Sequence, residues 1–255
     1  MQFSVLGSGS KGNSVYVESN GTGILIDNGF SGKELDSRLR RIGRSLDNVS
    51  AVCVTHEHND HVHGVGVLSR RCKIPVYANS GTFQGAEHKV GKLHKRMEFN
   101  TGDKVGIDGL EVHSFAVSHD TADPVGYVIS DGSRYLGYCT DTGTVTRLME
   151  LRLAGCHALI LEFNHDPEML KSGPYPLPLQ QRVRSKQGHL SNEDGASLLH
   201  ALMHPTLRYG VLAHLSETNN LPHLAIDAAS PCFHTGYNAE MVVASQGQPT
   251  ALLSL

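Results

Sequence analysis

Short apolar runs broken by turn residues fill the first half of the chain. Residues 2–6, 14–19 and 23–27 read as strands, and Asn20-Gly21 between the last two is a strong hairpin signal. Ser31-Gly32-Lys33-Glu34 has the capping-box pattern and predicts a helix ending near Gly43. Residues 49–55 form an apolar strand that runs straight into a histidine-rich loop. Further strands are expected at 103–107, 110–117, 125–130 and 134–139, punctuated by Asp108-Gly109 and Asp131-Gly132. After Asp141 the pattern changes. Helix 144–154, strand 158–162, a helix from about Ser191, strand 209–213 and a helix from about Leu221 alternate. Hairpins in one half and helices in both are satisfied by two packed sheets with helices outside, an α+β arrangement in one domain over residues 1–255.

Composition narrows the class. Of 255 residues, 39% are hydrophobic and 18% charged, enough for a core and too little charge for a disordered chain. No apolar run reaches the ~18 residues of a membrane span. The opening MQFSVLGSGSKGNS lacks the basic-then-apolar order of a secretory leader. The net charge of −3 argues against a surface basic all over, though not against a local basic groove. Five scattered cysteines with no CxxC pair make a thiolate metal site or disulfide framework improbable and point to the cytoplasm. The outlying count is 16 histidines.

Gly7-Ser8-Gly9-Ser10-Lys11-Gly12 matches GxGxxG, and Asp27 follows at the spacing of a ribose-binding acid. A dinucleotide fingerprint must open a helix, whereas Asn13-Ser14-Val15-Tyr16-Val17-Glu18 has strand alternation. No nucleotide cofactor is expected. A glycine loop lying close to an active site is the better reading.

Thr55-His56-Glu57-His58-Asn59-Asp60-His61 places three imidazoles and the Asp60 carboxylate on one short loop. These donors suit divalent zinc or manganese. HxH spacing is not helical, but on an extended loop both rings reach one ion, and Asp60 and His61 fall on the next bend. Two adjacent metal positions are implied. With these residues the chain resembles the metallo-β-lactamase superfamily. The resemblance implies a four-layer αββα sandwich and further ligands: His119 in Ser118-His119-Asp120, Asp141 in Thr140-Asp141-Thr142, and His214 in Ala213-His214-Leu215. By the same resemblance His56, His58 and His119 hold one ion, Asp60, His61 and His214 the other, and Asp141 bridges. Asp27 supports the site without binding metal. Asp60 is counted with the catalytic residues. Apart from His165 and His189, His63 and the remaining histidines match no motif position.

Five segments resemble the YycJ (WalJ) family of small bacterial proteins: residues 8–14, THEHNDHVHG from Thr55, Asn164-His165-Asp166 with Gly173-Pro174-Tyr175-Pro176, GHLSNED from Gly188, and AHLSETNN from Ala213. That resemblance implies a metal-dependent nuclease, with 5′-to-3′ exonuclease action on DNA in preference to RNA. His189 is then the proton donor, with His165 sharing the work. Lys171, Arg182, Arg184 and Lys186, in a stretch without acids, would contact phosphates. Two other basic runs, Lys89–Arg96 and Arg38–Arg44, could equally be solvated helix faces. A thioester or small phosphodiester hydrolase of glyoxalase II type would use the same ligands but leave GHLS and the basic stretch idle. A regulatory partner-binding protein with structural metals would not need so complete a ligand set.

Overall fold

The computed structural model describes residues 1–234 and 236–255. The first sheet is built from β1 (Gln2–Gly7), β2 (Ser14–Ser19), β3 (Thr22–Ile26), β4 (Ala51–Cys53), β5 (Pro75–Asn79) and β6 (Lys95–Phe99). The second contains β7 (Lys104–Ile107), β8 (Leu110–Ala116), β9 (Val125–Ser130), β10 (Tyr135–Cys139), β11 (Ala158–Glu162), β12 (Tyr209–Ala213) and β13 (Glu240–Val243). The short β14 (Leu253–Ser254) returns to pair with β1. Strand orders are β14-β1-β2-β3-β4-β5-β6 and β13-β12-β11-β10-β9-β8-β7.

Each sheet changes character halfway. The β1–β3 and β7–β10 pairs are antiparallel hairpins, while β3-β4-β5-β6 and β10-β11-β12-β13 are parallel. Parallel neighbours need crossovers. In the first sheet these are α1 (Gly32–Arg41), α2 (Asn59–Val62), α3 (Val65–Cys72) and α4 (Ser80–Val90). In the second they are α5 (Arg147–Leu153), α6 (Pro167–Ser172), α7 (Leu177–Val183), α8 (Asn192–Leu202) and α9 (Pro222–Phe233).

Strand alternation sorts the side chains into three cores. Val15, Val17, Ile24 and Ile26 face the other sheet and meet Tyr127, Ile129, Leu136 and Ile160. The intervening Tyr16 and Leu25 point outward, against Leu35 and Leu39 of α1. On the far side Leu159 and Leu161 meet Met149, Leu198 and Ala225 of α5, α8 and α9. The result is the expected αββα sandwich, each fully buried Ile or Leu contributing about 1.5–3 kcal/mol. No helix among the described residues is long and apolar enough to cross a membrane.

One detail departs from the sequence reading. Ser31 caps α1 through the Glu34 amide, but the Glu34 carboxylate turns to Arg38 instead of closing a capping box. Arg38 is only 6% exposed and needs that counter-charge; its remaining bonds go to the Leu6 and Gln246 carbonyls. Ser191 caps α8 through the Asp194 amide, and its hydroxyl donates to the Asp194 carboxylate.

Candidate metal centre

The parallel strands of both sheets end at one edge, and most of the candidate residues sit just past those ends. Asp27 follows β3, His56 follows β4, Asp141 follows β10 and His214 follows β12, with Glu162 closing β11. Asp27, Asp141 and His214 have φ of +58°, +57° and +57°. A left-handed turn at a non-glycine residue costs about 1–2 kcal/mol. Three such turns at one edge swing three polar side chains into the cleft between the sheets, where such strain marks function.

The donors gather into overlapping groups. One atom from each of His56, His58 and His119 lies within 4.8 Å of the others, and Asp60, His61 and His214 form a second such set. His119 Nε2 is 3.2 Å from His58 Nδ1. His61 Nε2 and His214 Nε2 stand 3.5 and 3.9 Å from Asp60 Oδ2. Asp141 lies between the sets, with Oδ2 3.3 Å from His61 Nε2, and Oδ1 3.4 Å from His214 Nε2 and 3.9 Å from His119 Nε2.

The rear nitrogens are anchored. His61 Nδ1 is 2.8 Å from Asp27 Oδ2, and the fully buried Asp27 also accepts from the Thr55 amide and hydroxyl. His119 Nδ1 donates to the Gly188 carbonyl at 3.0 Å. His214 Nδ1 meets Glu162 Oε1 at 3.0 Å. Such bonds fix which nitrogen faces the ion.

The front atoms are unsatisfied. His56 Nε2, His214 Nε2 and Asp141 Oδ2 are buried and have no hydrogen-bond partner. Leaving such groups unpaired costs about 1–3 kcal/mol each. Divalent cations held by the two donor sets would satisfy all three, so the residues present fit a metal.

Electrostatics agree. Burial, reinforced by the neighbouring imidazoles, holds His56 well below its ordinary pKa, so it is a neutral donor. Burial also opposes charge on His61 and His214, but the carboxylates around them outweigh it. His61 is held well above its ordinary value, by Asp141, Asp27 and Asp60, and His214 is pushed up to about 10 by Asp141, Asp60 and Glu162. Burial would raise Glu162, yet His189 and His214 bring it down to about 2.

The sequence reading overlooked several supports. Glu162 Oε1 bridges His189 Nδ1 at 2.8 Å and His214, while Oε2 accepts from the Thr142 amide beside Asp141. The glycine loop lies against the site as expected, and its polar side chains, which were not singled out, brace it: Ser8 Oγ accepts from the His214 amide, Asn13 Nδ2 donates to Asp60 Oδ2, and Ser14 Oγ donates to the Asp27 carbonyl. Glu57 Oε1 accepts from the Ala122 amide, tying the His56–His58 loop to the segment after His119. The signal for these was thin: isolated polar residues between apolar strands, with glycines at φ +140° and +155° (Gly9 and Gly12).

His189 joins Asp141, Glu162 and His214 in a donor group, whereas the His165 ring enters none of the four groups. Just before it, Asn164 donates from its side-chain Nδ2 to the His214 carbonyl. His165 is buried, and its carbonyl accepts from the Asn192 amide at the start of α8. Among the basic residues, Arg182 reaches the mouth of the centre and binds Asp120 at 2.6 Å. Arg184 and Lys186 are exposed beyond it, and Lys171 lies at the end of α6, 3.9 Å from Glu168. The other two runs are largely engaged: Arg40 and Arg44 pair with Asp36 and Glu18, Lys89 with the Glu57 carbonyl, and Arg96 with Glu98.

The β-lactamase superfamily domain model matches residues 22–214. The chain belongs to the β-lactamase superfamily. Within it, the chain is 40% identical over 227 residues to exodeoxyribonuclease YycJ of Bacillus anthracis, covering 88% of this chain and 86% of the relative. It is 39% identical over 228 residues to exodeoxyribonuclease WalJ of Streptococcus pneumoniae, covering 88% and 85%. The metallo-β-lactamase fold protein YhfI of Bacillus subtilis has the same fold, with a TM-score of 0.74 at 16% identity over 98% of both chains. The chain is a metal-dependent hydrolase of this superfamily.

Proposed function

We propose that this chain is a 5′-to-3′ exonuclease acting on DNA in preference to RNA. In this reading it works with two divalent ions, zinc or manganese, in one domain over residues 1–255. One ion is held by His56, His58 and His119 and the other by Asp60, His61 and His214, with Asp141 shared. The observation that carries the reading is Asp141: one buried carboxylate within 3.9 Å of nitrogens from both donor sets, with an oxygen left unpartnered. The relatives named as exodeoxyribonucleases support the DNA substrate. The thiols of Cys53, Cys72, Cys139 and Cys156 support a reducing cytoplasm.

When bound, the ions would supply a low-pKa water and neutralise charge building on the phosphate. The protein does the rest. Glu162 fixes His189 through Nδ1, leaving Nε2 to hydrogen-bond the phosphate or protonate the leaving oxygen. Asp27, through His61, keeps the metal loop in register. Arg182, Arg184, Lys186 and Lys171 would hold the strand by its phosphates without reading its sequence.

The test is a panel of 5′-labelled duplex DNA, matching RNA and a thioester, each with Mn²⁺ or Zn²⁺. The reading expects mononucleotides released from the DNA 5′ end and slower or no release from RNA. Preferential turnover of the thioester would overturn it.

A further inference from the structure

Beside the metal centre lies a cavity of about 160 Å³. His189 and His214 form the wall it shares with the centre, and Arg182 stands at its rim. We propose that this cavity receives the terminal nucleoside of the strand being cut, its base stacked on Tyr175, so that the enzyme removes one nucleotide per step. The proposal rests on the nuclease reading and says where the leaving nucleotide sits.

Size comes first. Pockets for drug-sized ligands run to about 300–1,000 Å³. At about 160 Å³ this one has room for a single ring system, the size of one base. Chemistry comes second. Tyr175 and Leu179 give an apolar wall, while Ser10 and Ser216 line the cavity with hydroxyls. Asn219 lies behind the wall, fully buried, with Oδ1 packed against Gly173. An aromatic face beside hydroxyl groups suits a nucleobase, whose ring stacks and whose edge carries donors and acceptors.

The aromatic mount is built to stay put. Tyr175 lies between Pro174 and Pro176, which fix the backbone on either side. Its carbonyl accepts from Nε2 of the buried Gln180 at 2.9 Å. The loop can lie this close only because residue 173 is glycine: a Cβ there would stand 2.6 Å from the Met169 carbonyl oxygen and 2.8 Å from Asn219 Oδ1. A ring held in place before substrate arrives loses little freedom on binding.

The test compares two 5′-labelled duplexes, one with a normal terminal nucleotide and one whose terminal nucleotide is abasic. Both are cut by wild type, Tyr175→Phe and Tyr175→Ala, each checked for melting temperature and metal content. Wild type and Tyr175→Phe should lose about 5- to 100-fold in kcat/KM on the abasic end. Tyr175→Ala should be slower by a similar factor on the normal end and should barely distinguish the two. If wild type cuts both duplexes equally, the cavity does not take the base, although the nuclease reading stands. If Tyr175→Ala slows both equally, the ring supports the fold and the proposal fails. If wild type cuts neither, the nuclease reading fails and takes this proposal with it.

Discussion

At Glu162 one buried carboxylate oxygen, Oε1, serves two partners, His189 at 2.8 Å and His214 at 3.0 Å, and substitutions around it should separate their roles. His189→Ala should keep its metal and lose about 10²–10⁴-fold in single-turnover rate, the range for a positioned proton donor. Glu162→Gln should lose turnover and also weaken metal binding by about 10–100-fold, because His214 loses its anchor. Metal titration alongside turnover distinguishes the two variants; loss of metal from His189→Ala would make His189 a ligand. Proton balance offers a second check. His61 and His214 have raised pKa values in the metal-free protein and so carry protons at pH 7. Metal must displace them, so binding should release about two protons and weaken as pH falls. Calorimetry in two buffers of different ionisation enthalpy measures that number; no release would mean that both rings are already neutral at pH 7. The residues that the structure gathers into donor groups were legible in sequence because four of them share one short loop, and the rest lie near where strands end. Glu162, Asn13 and Glu57 were not, since each acts on a residue far along the chain, such as Asp60 for Asn13 and Ala122 for Glu57.

Among the elements, the hairpins were read to within a residue or two because turn dipeptides bound them. The stretch after α3 was not. β6 is Lys-Arg-Met-Glu-Phe, charged and exposed at a sheet edge, and α4 carries two glycines, so neither shows a clear apolar period. β4 is shorter than the apolar run 49–55 that predicted it, because the Thr55 amide leaves the ladder to bond Asp27. Close packing also depends on glycine. A Cβ on Gly143 would lie 2.3 Å from the Ser185 carbonyl oxygen and 2.4 Å from the Gly188 amide nitrogen. These are backbone atoms of the segment that carries His189 and holds His119. Gly143→Ala should therefore cost about 1–3 kcal/mol in denaturant unfolding and reduce turnover as well. An unchanged unfolding midpoint would mean that this segment moves freely against β10.

Across the whole molecule, the αββα layering followed from two half-chains that each end in parallel strands. How the two sheets share one catalytic edge depends on their mutual orientation, which no local pattern encodes. The same edge brings Arg182 of the acid-free basic stretch beside the donor groups. Replacing Arg182 and Arg184 with Gln should weaken DNA affinity and lower the slope of log K against log salt by roughly 1–2, as up to two phosphate contacts disappear. Binding measured across a salt series checks this; an unchanged slope would place the DNA elsewhere. The central claim, two ions around Asp141 driving DNA cleavage, is tested most directly by adding metal back in steps. Metal-stripped protein should not cut 5′-labelled duplex DNA, and activity should climb until about two equivalents of Mn²⁺ or Zn²⁺ per chain are bound. Full activity without metal, a plateau at a single equivalent, or no cleavage at any loading would contradict the account.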